Sequence, residues 1–253
     1  MIDRQDRFAF CFVSISPLRA AATDEAEIVS QLLFGEPIRV INLEANWVEI
    51  NTVKDNYRGF VDPKQLLPLS ELQFNVWNVE YTYLANLFTT VTTSFGSQII
   101  SRGSFIGKMK TFEIGDFNYA LNVTSNEPQN NPWEIANEYL NTPYLWGGKS
   151  TFGIDCSGLT QTVFRLMGIE LPRDASQQGN CGKTISFYEK QPGDLAYFQN
   201  KKRKITHVGI IGPNSKIIHA SGHVRIDLLK ANGIWNESNS KCTHIFHSIK
   251  RVK

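Results

Sequence analysis

Short runs in which apolar and polar positions alternate fill the first quarter of the chain. FAFCFVSI, IVSQLLF, PIRVINL, NWVEINTV and YRGFV follow one another between Phe8 and Leu69, with Gly35, Asn46, Asp55 and Gly59 at their ends. Runs of that length, rich in β-branched and aromatic residues and bounded by turn formers, predict strands. Residues 70–128 repeat the pattern more loosely in WNVEYTYLANLFTTVTTSF, SQIIS and YALNV. The period then changes after SNEPQNNP at 125–132, a polar, proline-bearing stretch of the kind that separates domains. Asn131 is placed to cap a helix with Pro132 at its first position, and Trp133, Ala136, Tyr139 and Leu140 recur at helical spacing until Asn141-Thr142-Pro143. A second helix carries Leu159, Val163, Leu166 and Met167 on one face and ends at Gly168. DLAYFQ, THVGIIG, KIIHAS and THIFHSI then read as antiparallel strands.

Five short strands in about 60 residues suit an SH3-like barrel, since that fold is a small sheet closed on itself. The pattern therefore predicts three units: an all-β SH3-like barrel over 1–69, a second, divergent SH3-like barrel over 70–128, and an α+β domain over 129–253.

Composition narrows the function classes. At 253 residues with 42% hydrophobic and 20% charged positions, the chain can build more than one packed core. A net charge of +2 argues against nucleic acid, and the dense basic run Lys201-Lys202-Arg203-Lys204 lies between two expected strands, where it reads as a solvated turn. No stretch reaches the ~18 apolar residues of a membrane span, and no export signal is visible at the N-terminus. If Cys156 is kept as a free thiol, the odd set Cys11, Cys181 and Cys242 favours a reducing, cytoplasmic setting. A periplasmic or extracellular setting is the alternative should a leader have been removed.

Cys156 lies in GIDCSG immediately before the second helix, so its sulfur is expected near a helix N-terminus, where N–H groups and the helix dipole favour a thiolate. Taken alone, the position serves a nucleophile or a small buried hydrophobe equally well. His207 and His219 tilt the balance. A turn centred on Pro213 sets them opposite one another on paired strands, close enough for one imidazole to orient the other. Nucleophile, base and orienting group would then be present together. Zinc chemistry lacks support, because there is no C-x-x-C pair and the two histidines are far apart in sequence. Cys242, His244 and His247 read as ordinary strand and surface residues, with no fourth metal ligand in view.

PYLWGGKSTFGIDCSGLTQTVF, LPRDASQQ, PGDLAYF, THVGIIG and IIHAS, in this order across residues 132–253, resemble the NlpC-type cysteine peptidases of bacterial murein turnover, whose core is papain-like. The resemblance implies Cys156 as nucleophile, His207 as base, His219 as orienting residue, a Tyr144 hydroxyl at the oxyanion site, and no cofactor. Within that family the chain is most similar to γ-D-glutamyl-L-diamino acid endopeptidases with N-terminal bacterial SH3-like domains. SPLRAAATDEAEIVSQLLFGE, NWVEI and NYRGFV are similar to their first barrel. What this implies is a murein peptide substrate, L-Ala-γ-D-Glu-diaminopimelate, cut between γ-D-glutamate and diaminopimelate in peptide recycling. Its free amine would be held by Asp155 and Ser157 with Tyr57, and Glu36 as a further candidate. The rival expectation is a secreted hydrolase whose barrels bind intact wall.

Overall fold

In the computed structural model the described residues are 2–252 apart from Arg4, Ala45, Phe95, Thr124, Ser125 and 127–129. The chain divides into two compact units, Met1–Glu127 with Lys149–Thr151, and Pro128–Gly148 with Phe152–Lys253. Half of the expected linker, Ser125 and 127–129, lies outside the described residues.

The first unit begins with β1 (Phe8–Cys11), β2 (Ile15–Arg19), β3 (Ile28–Leu33), β4 (Pro37–Glu44), β5 (Trp47–Thr52), β6 (Arg58–Val61) and β7 (Leu66–Leu69). These seven strands form one sheet in the order β3-β2-β6-β5-β4-β1-β7. Alternation decides the buried face: Leu18, Leu32, Ile38, Val48, Ile50 and Val61 close over a core of their own.

Residues 70–128 depart from the expected second barrel. They open with a helix, α1 (Glu71–Glu80), followed by β8 (Tyr81–Tyr83), β9 (Phe88–Thr93), β10 (Gly96–Ser101), β11 (Phe105–Gly107), β12 (Thr111–Ile114) and β13 (Phe117–Leu121). The strands fall into a four-stranded sheet, β10-β9-β13-β12, and a separate pair, β11-β8. Ser70 starts the helix through a capping box: its hydroxyl accepts from the Gln73 N–H at 3.3 Å, and the Gln73 side chain accepts from the Ser70 N–H at 2.9 Å. Phe74 and Trp77, three residues apart, turn inward, and the Trp77 indole donates to the Gly35 carbonyl at 2.8 Å. Phe10, Phe34 and Leu69 share one core with Phe74, Trp77, Val91 and Phe105. That shared core makes residues 70–121 a continuation of the first sheet's packing, so the structure does not separate two barrels at residue 70.

The second unit carries α2 (Pro132–Asn137), α3 (Cys156–Leu166) and α4 (Ala175–Gln178). A two-residue strand, β15 (Gly153–Ile154), precedes α3, and the short β14 (Lys149–Ser150) between α2 and β15 in the chain belongs to the first unit. The sheet of the second unit comprises β16 (Lys183–Ile185), β17 (Leu195–Gln199), β18 (Ile205–Ile211), β19 (Lys216–Ser221), β20 (His223–Lys230), β21 (Gly233–Asn236) and β22 (Lys241–Arg251). The order is β16-β22-β17-β18-β19-β20-β21, and β22 also pairs with β21, so the six strands from β17 to β22 close on themselves. Helices come first and antiparallel strands follow, an α+β domain. Lys201 to Lys204 form the exposed turn between β17 and β18.

Every residue of α3 from Cys156 to Arg165 is buried, unlike the one-sided helix the sequence suggests. Its polar side chains bond nearby groups: Thr160 bonds Gln178 at 2.7 Å, Gln161 donates to the Leu171 carbonyl at 2.9 Å, and Arg165 pairs with Glu170 at 3.2 Å. The helix ends at Gly168, whose φ of +77° is left-handed, with the Ile169 N–H returning to the Phe164 carbonyl.

Candidate active site

Asp155 begins α3 as its N-cap, accepting from the Gly158 N–H at 2.7 Å, and this places Cys156 in the first turn. Gly158 packs against backbone: a Cβ there would lie 2.1 Å from the Gly148 carbonyl oxygen. The Val208 N–H, one residue along β18 from His207, hydrogen-bonds the Cys156 sulfur. The expected lowering of the thiol does not hold in the free protein. Burial, then the Asp155 carboxylate, push Cys156 up to about 12, against the pull of the Val208 N–H, Arg173 and the Ser157 N–H. Position at a helix start is outweighed by the absence of water.

His207, on β18, and His219, on β19, project from the same face, though not in the expected register. Ile210 pairs with Ile218 and Ile211 with Ile217, so the hairpin is centred on Asn214 instead of Pro213. The turn there holds Asn214 and Ser215 at φ of 55° and 56°. A shift of two residues in pairing preserves the face, because side chains alternate with period two. The histidines are thus diagonal neighbours, and their rings still meet, His207 Nε2 to His219 Nδ1 at 2.9 Å.

The second strand pair extends the chain of contacts to a residue the sequence reading did not single out. Asp227 on β20 pairs with Ile217, while His219 pairs with Arg225. Asp227 therefore stands diagonal to His219 and takes its Nε2 at 3.1 Å. Arg225 and Asn236 donate to the other Asp227 oxygen at 2.9 and 3.5 Å. Burial raises the Asp227 carboxyl, but hydrogen bonds from His219 and Arg225 outweigh it and hold the group below its usual range. An ionised carboxylate only accepts, so Nε2 of His219 carries a proton and Nδ1 is bare. Nδ1 then accepts from Nε2–H of His207, which leaves the His207 Nδ1 lone pair as the free base. Burial, with His219 and His244 beside it, drives His207 well below the ordinary imidazole value, and burial lowers His219 against the pull of Asp227. Both rings are neutral near pH 7. The only visible sequence signal for Asp227 was its even spacing from His219 across a second hairpin.

Tyr144 is half-buried. Burial, then the neighbouring sulfur of Cys156 and carboxylate of Asp155, push its hydroxyl up to about 12, so it remains a hydrogen-bond donor. Asp155 and Ser157 are drawn together by Arg173, a buried residue of the LPRDASQQ segment. Its guanidinium grips Asp155 at 2.6 and 3.0 Å and donates to the Ser157 hydroxyl at 2.9 Å. The Gly147 N–H also reaches Asp155, at 2.9 Å.

Glu36 and Tyr57 belong to the first unit. Glu36 is buried, accepts from the Leu33 N–H at 3.0 Å and lies 3.4 Å from the Lys149 ammonium, itself buried in that unit. The Tyr57 ring packs, partly buried, against the core of the first sheet. His244, read from the sequence as an ordinary strand residue, stacks on His207 with ring centroids 4.1 Å apart.

Residues 141–242 match the NlpC/P60 family and residues 18–66 match the bacterial dipeptidyl-peptidase Sh3 domain. A gamma-D-glutamyl-L-lysine dipeptidyl-peptidase of Bacillus subtilis is 40% identical over 84 residues, 32% of this chain and 28% of the relative. A protein of the same description from Bacillus cereus is 25% identical over 241 residues, 78% of this chain and 68% of that one. The crystal structure of an NlpC/P60 family protein from Bacillus cereus superposes with a TM-score of 0.79 at 19% identity, covering 96% of this chain and 99% of that one, and so shares its fold.

Proposed function

The chain belongs to the NlpC/P60 family of cysteine peptidases, with an SH3-like domain ahead of the peptidase domain, and on that premise we propose that it hydrolyses the γ-D-glutamyl to diamino acid bond of murein peptides bearing a free N-terminal L-alanine. The observation that carries the reading is the relay Asp227, His219, His207, whose last member precedes Val208, the residue that bonds the Cys156 sulfur through its N–H.

The residues act in sequence. Cys156 attacks the γ-carbonyl carbon as its thiol proton passes to Nδ1 of His207. His219, fixed by Asp227, stabilises the imidazolium that forms. The Tyr144 hydroxyl donates to the tetrahedral oxyanion. The C–N bond breaks, His207 gives its proton to the departing amine, and a thioester remains on Cys156. Water then attacks the thioester, losing a proton to His207, and the thiol is restored.

Asp155 and Ser157 supply the polar group for the alanine amine, on the strength of the resemblance. Because Arg173 already holds both, the ammonium would share the carboxylate with a guanidinium. Glu36 is neutralised by Lys149, so the weight falls on Asp155 and Ser157. Processing of released peptides places the enzyme in the cytoplasm. The Bacillus relatives are named for L-lysine after the glutamate, which makes lysine as well as diaminopimelate a substrate to assay.

The test is kcat/KM on L-Ala-γ-D-Glu-diaminopimelate, its lysine counterpart and the N-acetylated form of each. Acetylation removes the charge that Asp155 recognises, and a loss of about a hundredfold is expected. Equal rates on free and acetylated peptides would favour attack on intact wall, where that nitrogen is already acylated. Hydrolysis surviving in Cys156→Ala would end the mechanism.

A further inference from the structure

His244 has no part in the proton relay, yet its ring lies against His207 and 5.6 Å from the ring of His219. Each of the three histidines offers a ring nitrogen, and the three nitrogens lie within 4.8 Å of one another. We propose that His207, His219 and His244 bind a single Zn²⁺ ion and that its occupancy switches the peptidase off. The inhibitory half rests on the assignment of His207 as base. The binding half does not.

Three imidazoles with a fourth position left for water or the Cys156 sulfur are a ligand set that zinc adopts. The tautomers favour it as well. His219 gives its Nε2–H to Asp227, which points the bare Nδ1 into the cluster, the carboxylate–histidine arrangement that supports metal ligands. Nδ1 of His244 is taken up by the Thr243 hydroxyl at 2.9 Å, leaving Nε2 as its ligand atom. Phe198 packs on His207 and His244 with centroids 5.9 and 6.0 Å away.

The His207–His219 pair is close to what the ion requires, whereas His244, stacked on His207 at 24° with its nitrogen within 4.8 Å of theirs, has to turn its ring edge toward the ion. Nε2 of His207 and Nδ1 of His219 are 2.9 Å apart, whereas two nitrogens on a tetrahedral zinc at its usual bond length stand about 3.3 Å apart. These two rings separate by a few tenths of an ångström and turn their lone pairs toward the ion, and His207 exchanges tautomer through water, giving up the Nε2 proton and taking one up at Nδ1. Nδ1 is the atom that must accept the Cys156 proton. Zinc thus blocks the base while leaving the fold in place.

Calorimetric titration of the metal-stripped full chain with ZnCl₂, and Co²⁺ absorption as a second probe, test the site without reference to turnover. Wild type is expected to bind one ion per chain, to lose peptidase activity with the same midpoint, and to recover it with EDTA. His244→Ala, and the bulkier His244→Gln should the first fold poorly, are expected to weaken binding by about tenfold or more. The inhibition midpoint should move equally when each rate is normalised to that variant's own zinc-free rate. Cys156→Ala should keep one-to-one binding. No binding in wild type overturns the proposal. So does binding lost in Cys156→Ala but kept in both His244 variants, which would mark a thiol site. Turnover by Cys156→Ala would instead overturn the hydrolytic reading, and the isotherms would still decide the metal site.

Discussion

Asp227 sets the state of both histidines, one strand from His219 and two from His207, and its replacement by Asn is the sharpest single-residue test of the relay. An amide can donate to Nε2 of His219, which would push the proton onto Nδ1, reverse the bond to His207 and leave His207 protonated at Nδ1, the nitrogen the mechanism needs bare. The expected outcome for Asp227→Asn is a fall in kcat of about 10² or more with KM little changed, since the group touches no substrate. A variant with near wild-type kcat would remove Asp227 from the relay. A second test needs no substrate. Alkylation of Cys156 by iodoacetamide at pH 7, followed by peptide-resolved mass spectrometry to separate it from the exposed Cys242, should slow about tenfold or more in His207→Ala. Burial holds the sulfur as a thiol, so its reactivity depends on a base to take the proton. Unchanged alkylation would show that His207 does not serve that sulfur.

At the scale of elements, the start of α3 is held by contact as much as by its cap. Gly→Ala inside a helix ordinarily gains up to about 1 kcal/mol from propensity. At Gly158 the added methyl would meet the Gly148 carbonyl at 2.1 Å, a backbone atom with no rotamer to yield. Gly158→Ala is therefore expected to destabilise by about 1–3 kcal/mol and to displace the nucleophile, read as a lower urea midpoint together with lost kcat. A stabilised variant would show that the loop at Gly148 gives way. The hairpin of β18 and β19 illustrates the tolerance of strand arguments: an error of two residues in register left both histidines on one face, where an error of one would have parted them. α1 shows the opposite risk. Its aromatic and β-branched content imitates a strand, while the capping box Ser70 to Gln73 was the local signal for a helix.

For the peptidase unit as a whole, three neutral histidines, His207 and His219 buried and His244 half-buried, make stability depend on pH. His207 and His219 lie below their ordinary value of 6.5, and burial takes His244 to about 4. In the unfolded chain these rings protonate near 6.5, so below that pH the unfolded state takes up protons that the folded state refuses. Stability should be flat above about pH 7 and fall steadily as pH drops from about 6.5 toward 4. Asp227, held below its ordinary 3.8, extends the loss in the same direction at lower pH. The urea midpoint for the unit, followed by pulse proteolysis at pH 7.5, 6 and 5, should decline across the series, and a constant midpoint would mean that the rings are hydrated.

Local chemistry carried much of this protein in its sequence. Asn131 and Pro132 marked the start of α2, Gly168 marked the end of α3, and the strands holding His207 and His219 were legible because alternation and turn residues act over a few positions. The position of Cys156 at a helix start was legible for the same reason. What depended on distant partners was not. Residues 70–121 share a core with Phe10, Phe34 and Leu69, and no local pattern announces a shared core. The state of the Cys156 thiol follows from how completely the domain excludes water, and Arg173 reaches Asp155 from eighteen residues away. Asp227 and His244 join the site through strand pairings on either side of β18 and β19. Periodicity tells which face a side chain occupies; only closure of the sheet, a sum of many long-range pairings, decides which faces meet.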